Sequence, residues 1–284
     1  MPRFNRQISV ELLSTFGSML FTDLRMTVTS ERSDSSDANT SEIIIYNLAQ
    51  NTVEKLVDSN WSAIVKSGYK DEGLLSVICS GDVSEVSAVQ SGANTLTTLK
   101  LADGGKILES FRKGFSFAKG SSALAAIKTI AAAAGLPLES SAQLAGLQDT
   151  PFSAGFTTAG SLWVSLDRIC DRIGAAWSIQ NGELRLSSPV KPVPGGFVLL
   201  SASTGLIGSP EKIKLNVKVP KAKDKQVAGW IVRTLLQPTI LPGDGIVVTS
   251  KELKSVPLIV KSIKHSADNW QGDFMSTIEG VIYG

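Results

Sequence analysis

Hydrophobic and polar residues alternate along the first hundred positions in the way that half-buried strands require. Ile8, Val10 and Leu12 are separated by single polar residues, and Met26 and Val28 follow Leu24 with the same spacing. A period of two places successive side chains on opposite faces of a strand. The pattern therefore predicts β-structure from the N-terminus onward.

Polar and turn-forming residues predict the connections within this first block. The polar run 30–41 is expected to be a loop, and Asn51 or Thr52 is expected to cap a short helix. A turn is expected at residues 103–105. The other strands of the block are expected at residues 43–46, 74–79 and 96–101.

Helical spacing replaces alternation between residues 104 and 190. Ser121 or Ser122 is expected to cap an alanine-rich helix, and Ser161 is expected to cap a second helix. Apolar strands then flank residues 181–182, an Asn-Gly pair, which is the strongest short-range hairpin signal. This block is predicted to be a small α+β domain.

The last third of the chain is predicted to be β-structure again. Prolines and glycines over residues 189–196 indicate a linker. Residues 212–219 then alternate between polar and apolar side chains without a break. Further strands are expected at residues 246–249, 256–263 and 274–282, and a turn is expected at residues 242–245.

A weak internal repeat connects the first and last blocks. Each has a glycine-containing turn at Gly68 or Gly243, an apolar strand, a polar hairpin containing Gly92 or Gly272, and a final strand. Chance similarity between all-β segments is one explanation. Two copies of one barrel type is the more economical one, so domains are expected at residues 1–103, 104–190 and 191–284.

The charge of the blocks differs in sign. Residues 1–103 hold 8 basic and 13 acidic residues (8 − 13 = −5), residues 104–190 hold 8 and 6 (+2), and residues 191–284 hold 12 and 7 (+5). Opposite signs suit surfaces that meet, within one chain or between copies. The alternative is two solvated faces of unrelated composition.

Composition excludes several classes of protein. The chain has 284 residues, of which 43% are hydrophobic and 19% charged, which is typical of a folded protein. A net charge of +2 is too balanced for a dedicated nucleic-acid binder. One histidine and two cysteines exclude a disulfide framework, a cysteine-rich zinc site and a histidine pair. Cys79 and Cys170 are expected to be free thiols in apolar cores.

No segment has the pattern of a targeting or membrane-spanning sequence. The longest charge-free stretch, residues 192–210, holds three prolines and four glycines, which is incompatible with a lipid-spanning helix. We therefore expect that the chain is made in a cytoplasm and does not associate with a membrane.

Several groups of residues resemble catalytic sites without completing one. Residues 104–106 lack the rest of a phosphate-binding loop and are expected to form a turn. Asp167 and Asp171 alternate with arginines and are expected to form a salt-bridged solvent face. His265, with Asp268 and Asp273, could supply metal ligands, but a hydrogen-bond network at a hairpin tip is favoured. We expect no enzyme activity, no catalytic residues, no cofactor and no metal site.

Tryptophans and lysines leave two questions open. The five tryptophans are expected to pack in cores, except Trp270, which lies in a polar hairpin. Lys212, Lys214 and Lys218 share one strand face, and three more lysines follow up to Lys225. This stripe could contact phosphate or an acidic protein surface, or it could protect an edge strand from aggregation.

Residues in strands and turns of all three blocks occur in an order that is shared with a known family. They are residues 38–48, the short helix to Leu56, and residues 68–69, 115–120, 155–160, 177–184, 204–210, 241–244 and 264–268. Their order resembles the baseplate hub proteins of contractile-tailed bacteriophages, over about four-fifths of the chain. One departure is Ala267, which stands where many of these hairpins have glycine.

The resemblance implies a fold and a function. The fold would be mainly β, with an inserted α+β domain between two similar tube-like β-barrel domains. Such hubs are homotrimeric rings that adapt a sixfold tail tube to a threefold central spike and leave a channel for DNA. The implied partners are other copies, the spike, the tube or tube-initiator protein, other baseplate proteins, and tape-measure protein or DNA in the lumen. The location would be the virion tail, after assembly in the host cytoplasm.

Two other functions stay open at this point. A carbohydrate-binding or cell-wall-degrading tail component would need exposed aromatic residues beside paired carboxylates. A hub of a non-viral contractile injection system would share the fold.

Overall fold

The computed structural model describes residues 5–58, 60–73, 75–138, 146–188, 191–217 and 225–283. Strands dominate it, which confirms the expected mainly-β fold. The division into domains at residues 103 and 190 stays a prediction.

The first part of the chain folds into seven strands and one helix. They are β1 (Arg6–Ser14), β2 (Gly17–Phe21), β3 (Met26–Ser33), β4 (Thr40–Tyr46), α1 (Gln50–Val57), β5 (Ser62–Tyr69), β6 (Ser76–Ser91) and β7 (Asn94–Ala102).

Among its described residues, the middle part contains three helices and two short antiparallel strand pairs, of which the second is a hairpin. They are α2 (Gly105–Ser110), β8 (Phe115–Phe117), α3 (Ala123–Ala133), β9 (Phe156–Thr158), α4 (Leu162–Ile173), β10 (Ala176–Gln180) and β11 (Glu183–Ser187). The helices and strands enclose one hydrophobic cluster of their own.

Six strands form the last part. They are β12 (Phe197–Leu200), β13 (Leu206–Val217), β14 (Lys225–Leu235), β15 (Gly245–Val248), β16 (Val256–Asp268) and β17 (Phe274–Ile282).

Local signals predicted the middle part well. The Ser122 hydroxyl accepts a hydrogen bond from Ala125 N at 3.0 Å, and the Ser161 hydroxyl accepts one from Val164 N at 3.3 Å, as expected of helix caps. Asn181 and Gly182 have φ values of +56° and +80°, as the tight turn between β10 and β11 requires.

Three local predictions in the first part were wrong. The loop expected at residues 30–41 is shorter, because β3 continues to Ser33 and β4 begins at Thr40. Their polar residues are compatible with strands, since one face of these strands is exposed. Gly68 lies within β5, opposite Gln7, and not in a turn. Helix α1 starts at Gln50 after Ala49, which provides no side-chain cap.

A single 13-stranded sheet joins the first and last parts. Its main path is β13-β14-β17-β16-β3-β4-β7-β6-β5-β1-β2, and β15 pairs with both β16 and β12. The link between the two parts is the antiparallel pair β3–β16, which extends from Ser33 opposite Ser262 to Thr27 opposite Asp268.

Both parts repeat one strand arrangement. We call β1 and β3–β7 the N-terminal unit, and β12–β17 the C-terminal unit. The order across the sheet is β3-β4-β7-β6-β5-β1 in one and β13-β14-β17-β16-β15-β12 in the other. Each position is taken by the strand of the same rank along the chain. The one difference is that β1 and β5 are antiparallel, whereas β12 and β15 are parallel.

A matched irregularity supports the same equivalence. The register of β6 with β7 shifts between Val83 and Glu85, and that of β16 with β17 shifts between Val260 and Ser262. Such shifts mark β-bulges, which bend a strand. Beside the bulges, Val83 N donates to Trp61 O at 2.8 Å and Val260 N donates to Asp244 O at 2.9 Å. The repeat seen in the sequence is therefore a repeat of topology.

Gly104 fixes how the middle part meets the N-terminal unit. Its φ is +69°, and a Cβ at this position would overlap Ile179 Cδ1 and lie 3.0 Å from Ile179 Cγ2. Gly120 has a φ of +85° but no atom within 4 Å of such a Cβ. Alanine at Gly120 would therefore suffer from the backbone conformation alone, whereas alanine at Gly104 would suffer from the conformation and from the contact with Ile179.

We predict that Gly104→Ala lowers the free energy of unfolding more than Gly120→Ala does. An alanine in the left-handed region costs about 1–2 kcal/mol, and Gly104→Ala adds displacement of the packed Ile179 side chain. Urea unfolding of both variants tests this. Equal decreases in the free energy of unfolding would show that Ile179 can move away from the added methyl group without a loss of stability.

Candidate functional site

Eight neighbouring strands form a continuous antiparallel path, which we call the eight-strand path: β13-β14-β17-β16-β3-β4-β7-β6. All seven of its pairings are antiparallel. Four strands come from each unit. Among the described residues, no strand pairs with the outer edge of β13 or with residues 84–91 on the far edge of β6.

One face of the eight-strand path, which we call the polar face, is mainly exposed and hydrophilic, apart from a small apolar cluster of Val217, Ile259 and Val281. The register connects its side chains: Lys264 lies opposite Glu31, Glu42 lies opposite Lys100, and Lys100 lies opposite Glu85. Ion pairs join Lys264 to Glu31 at 2.6 Å and Lys100 to Glu85 at 2.8 Å. All four of these side chains are at least half exposed. Such exposed pairs contribute at most about 1 kcal/mol each, so they indicate a solvated surface.

The polar face has an excess of negative charge and few rings. The register places five glutamates and two aspartates on it, against three cations among the side chains that the structure describes (3 − 7 = −4). Tyr46, at the end of β4, is the single aromatic residue that the register of the described strands places there. The charged residues are Glu31, Glu42, Asp82, Glu85, Glu211, Asp268, Glu279, Lys100, Arg233 and Lys264.

The opposite face of the six inner strands of this path is buried in the cores of the two units. Apolar side chains from six of the strands are at most 1% exposed. Burying each aliphatic side chain of this kind contributes about 1.5–3 kcal/mol, so this face fixes which side of the sheet points outward. These residues include Val28, Ile43, Leu99, Val232, Ile263 and Ile278.

Opposite charges meet where the two units join. Lys264 with Glu31, and Lys261 with Asp34 at 2.8 Å, each pair a base from the last block with an acid from the first. Asn269 adds a clamp, because its Nδ2 donates to Leu24 O and its Oδ1 accepts from the backbone of β3, both at 2.8 Å. The sign difference between the blocks is thus used within one chain.

His265 is a buried neutral group in this junction and not part of a hairpin tip. It is fully buried in β16, and its Nδ1 hydrogen bonds to Ser276 Oγ at 2.8 Å. Burial, with a smaller effect of the Arg32 charge, lowers its pKa to about 3. Asp268 is the tip residue, and its Oδ1 accepts from Trp270 N at 2.7 Å. The network expected among His265, Asp268 and Asp273 is therefore not formed.

A buried polar cluster, absent from the sequence analysis, attaches the middle part to the N-terminal unit. Asp103 accepts hydrogen bonds from Asn181 N at 2.5 Å and Gly182 N at 2.9 Å. Arg32 donates to Asn181 Oδ1 at 2.6 Å and to Ile78 O. The cluster holds the Asn-Gly turn against the end of β7.

Burial dominates the ionisation of this cluster. It raises the pKa of Asp103 to about 6, although the two backbone N–H groups and Arg32 act in the opposite direction. Burial also lowers the pKa of Arg32. A second buried arginine, Arg185, ties the middle part to the C-terminal unit through Asp244 at 2.6 Å.

Helix α4 uses its charged residues differently from the expectation. Arg168 lies over the Phe156 ring at 5.1 Å, and Arg172 lies over Phe152 at 5.3 Å and donates to a backbone carbonyl. Asp167 accepts a hydrogen bond from Trp177 Nε1 at 2.8 Å. These side chains thus hold the helix against the rings and backbone of the middle part through cation–π and hydrogen-bond contacts.

The tryptophans and lysines have mixed outcomes. Trp270 is 73% exposed, as expected, but Trp163 is also 43% exposed, over an acidic cleft of about 480 Å³. Lys212 and Lys214 are exposed on β13, an end strand of the sheet, which matches the edge-strand interpretation. Lys218 and the next two lysines lie outside the described residues. Cys79 and Cys170 are buried free thiols, as expected.

Among the described residues, no three His, Cys, Asp or Glu side chains are grouped as a metal site would need. No helix in this part of the chain has the length and hydrophobicity needed to cross a membrane.

The chain has the fold of phage tail proteins. No family model and no curated protein matches its sequence. A 43 kDa tail protein of prophage MuSo2 from Shewanella oneidensis is similar in structure, with a TM-score of 0.64, 9% identity and 96% of each chain covered. A tail protein from Neisseria meningitidis MC58 gives a TM-score of 0.62 at 12% identity, covering 98% of this chain and 97% of its own.

A third similar structure comes from a secretion system. It is an E. coli component of the type VI secretion system, described as similar to the T4 bacteriophage tail proteins gp27 and gp5. Its TM-score is 0.58 at 10% identity, and the match covers 92% of this chain and 74% of that one. At these identities the likeness establishes the shared fold, which is that of tail and secretion-system components.

We predict that Asp103→Asn changes how stability depends on pH. Because the folded pKa of Asp103 is raised to about 6, its protonation favours the folded state. This stabilisation is present near pH 4 and is lost as the pH rises through 6. The free energy of unfolding at pH 4.5 minus that at pH 7 should be about 2 kcal/mol more positive in the parent than in the variant.

Comparing the two proteins cancels the other titrating groups. His265 acts in the opposite sense, because its lowered pKa removes stability as the pH falls below about 6.5. Urea unfolding at both pH values provides the measurement. An identical pH difference in parent and variant would contradict the assignment to Asp103.

Proposed function

We propose that this chain is the structural hub of a contractile-tail baseplate. Three copies form a ring that joins the sixfold tail tube to the threefold central spike and leaves a channel for DNA. Its place is the virion tail, and its role is structural, without catalysis, cofactor or metal. The observation that carries this proposal is the repeated six-strand arrangement, with the two copies side by side in one sheet. No described strand pairs with the outer edge of β13 or with residues 84–91 of β6.

Symmetry explains why a repeat suits an adaptor. Three chains with two similar units each provide six similar units around an axis, while the chain itself repeats three times. One ring can therefore present sixfold-like contacts to a tube and threefold contacts to a spike. The similarity to tail proteins at nearly full coverage of both chains supports this use of the fold.

The two ends of the strands offer different surfaces to two partners. The hairpin turns at residues 92–93 and 269–273 lie at one end, and the middle part packs at the other end, where β3 and β7 finish. The proposed partners are the spike at one rim and the tube or tube-initiator protein at the other. Other baseplate proteins would bind around the outside.

The polar face is the proposed wall of the channel. Its excess of carboxylates repels nucleic-acid phosphates, and Tyr46 leaves little ring surface on which bases could stack. Tape-measure protein or DNA would therefore pass without adhering. The buried opposite face leaves this as the side of the eight-strand path that is available to line a lumen.

A second candidate is the hub of a non-viral contractile injection system. The match to the E. coli type VI secretion component favours it, since that protein has the same fold. The physical role would be the same ring. The genes beside this one would separate the two settings.

We predict a trimer in solution. Light scattering after size exclusion should give three times the chain mass of 30.1 kDa. High salt should shift the population toward monomer, because acidic N-terminal units would neighbour basic C-terminal units. A monomer at every salt concentration, also after co-expression with the spike gene, would contradict the proposed hub.

A further inference from the structure

We propose that neighbouring copies join by strand addition, with residues 85–89 of β6 in one copy paired antiparallel to residues 211–215 of β13 in the next. Ala88 would lie opposite Lys212. This inference rests on the proposed ring and specifies its contact.

The junction inside the chain provides the template. Strand β16 has two partners on one edge: its first half pairs with β15, from Val256 to Ile259, and its second half pairs with β3, from Ser262 to Asp268. The change of partner occurs at Lys261, the bulged residue. One long strand thus belongs to its own unit and also binds the next unit.

Strand β6 has the same plan with one partner missing. Its first half pairs with β5, from Ser76 to Asp82. After the bulged residue, Ser84, no described strand pairs with this edge through Ser91. Val89, in this open half, is 62% exposed. An uncovered edge of this length is a ready site for pairing with another chain.

Strand β13 is the counterpart of the partner that β6 lacks. It has the position in the C-terminal unit that β3 has in the N-terminal unit, and no strand of the described residues pairs with its outer edge. Its exposed lysines, Lys212 and Lys214, keep this edge soluble before assembly. Pro210 has no N–H to donate, which limits the expected ladder on that side to residues from Glu211 onward.

The directions of the strands are compatible with closure. The eight-strand path alternates in direction at each of its seven pairings. With an even number of strands, β6 and β13 run in opposite directions. A following copy therefore continues the antiparallel alternation, and a head-to-tail contact of this kind can close into a ring.

The register of the β3–β16 junction within the chain predicts the register of the proposed β6–β13 contact between copies. Within the chain, His265 lies opposite Ser30. Ala88 is the counterpart of His265, because each is the fourth residue after the bulged one. The residue of β13 that lies opposite Ala88 is therefore the one that corresponds to Ser30.

That counterpart is Lys212. Ser30 is connected through Ser41 to Leu101, which lies opposite the residue just before the bulge in β6. Lys212 is connected through Trp230 to Gly280, which lies opposite the residue just before the bulge in β16. Lys212 therefore corresponds to Ser30, just as Ala88 corresponds to His265. The pair Ala88–Lys212 between copies is thus equivalent to the pair His265–Ser30 within the chain.

The test is a disulfide between copies of one doubly substituted chain, Ala88→Cys with Lys212→Cys. Both side chains are exposed in the single chain, so neither substitution removes a core contact. Directly opposite residues lie about 4.5–5.5 Å apart at Cα, within disulfide range. Mild oxidation should give linked dimers and closed, fully linked rings on non-reducing gels.

The matched control is Ala88→Cys with Lys214→Cys. It changes the register by two residues, and diagonal neighbours are about 7–8 Å apart, too far for a relaxed disulfide. We expect at least about fivefold less linked product than for the first pair. The unsubstituted chain, with its buried Cys79 and Cys170, controls for background.

Light scattering of the reduced variants separates this inference from the proposed function. A trimer that links through Ala88 and Lys212 but not through the control pair supports the contact. A trimer in which the first pair does not link, or in which both pairs link equally, overturns the contact and leaves the ring standing. A reduced protein that stays monomeric overturns both.

Discussion

The antiparallel pairing of β3 with β16 determines how every other part of the molecule is placed. It joins two units that are separated along the chain by the whole middle part, and it makes their sheets one surface. Because a strand shows its two faces alternately, this register decides which side chains of both units point outward. The charged pairs Lys264–Glu31 and Lys261–Asp34 lie across it. The Lys264–Glu31 pair is exposed and contributes little energy, whereas the Lys261–Asp34 pair is largely buried. The backbone ladder and the buried apolar face also hold the junction together.

The same pairing separates the faces by chemistry. On the inside, His265 and Arg32 are buried beside the apolar residues, and their charged forms are disfavoured by desolvation. On the outside, the polar face keeps its carboxylates and ammonium groups in water. The proposed channel wall needs such a face to be both stable and non-adhesive. In the middle of the eight-strand path, packing lies mainly on one side and solvated charge mainly on the other, which meets both requirements.

The sequence predicted the parts of this structure that depend on near neighbours. The Ser161 cap, the Asn181–Gly182 turn and the strands around Ile43 and Ile259 follow from residues a few positions apart. The sequence did not predict strand β14, since residues 225–235 do not alternate strictly. It predicted a turn at Gly68, because glycine is typical of turns and nothing near it in the sequence shows that it pairs with Gln7 of another strand. The Arg32–Asp103–Asn181 cluster joins three distant segments, so no local pattern encodes it. The polar face became visible only when the register connected eight strands.

Amide hydrogen exchange of β6 tests the central claim, that one sheet continues from copy to copy, most directly. In the assembled protein, the amides of residues 85–89 that point away from β7 should exchange at least about tenfold more slowly than in diluted monomer. The amides of β7, which are paired within the chain, should show no such difference. Unchanged fast exchange of residues 85–89 in a confirmed trimer would contradict the proposed contact, because the edge of β6 would then be open in the ring.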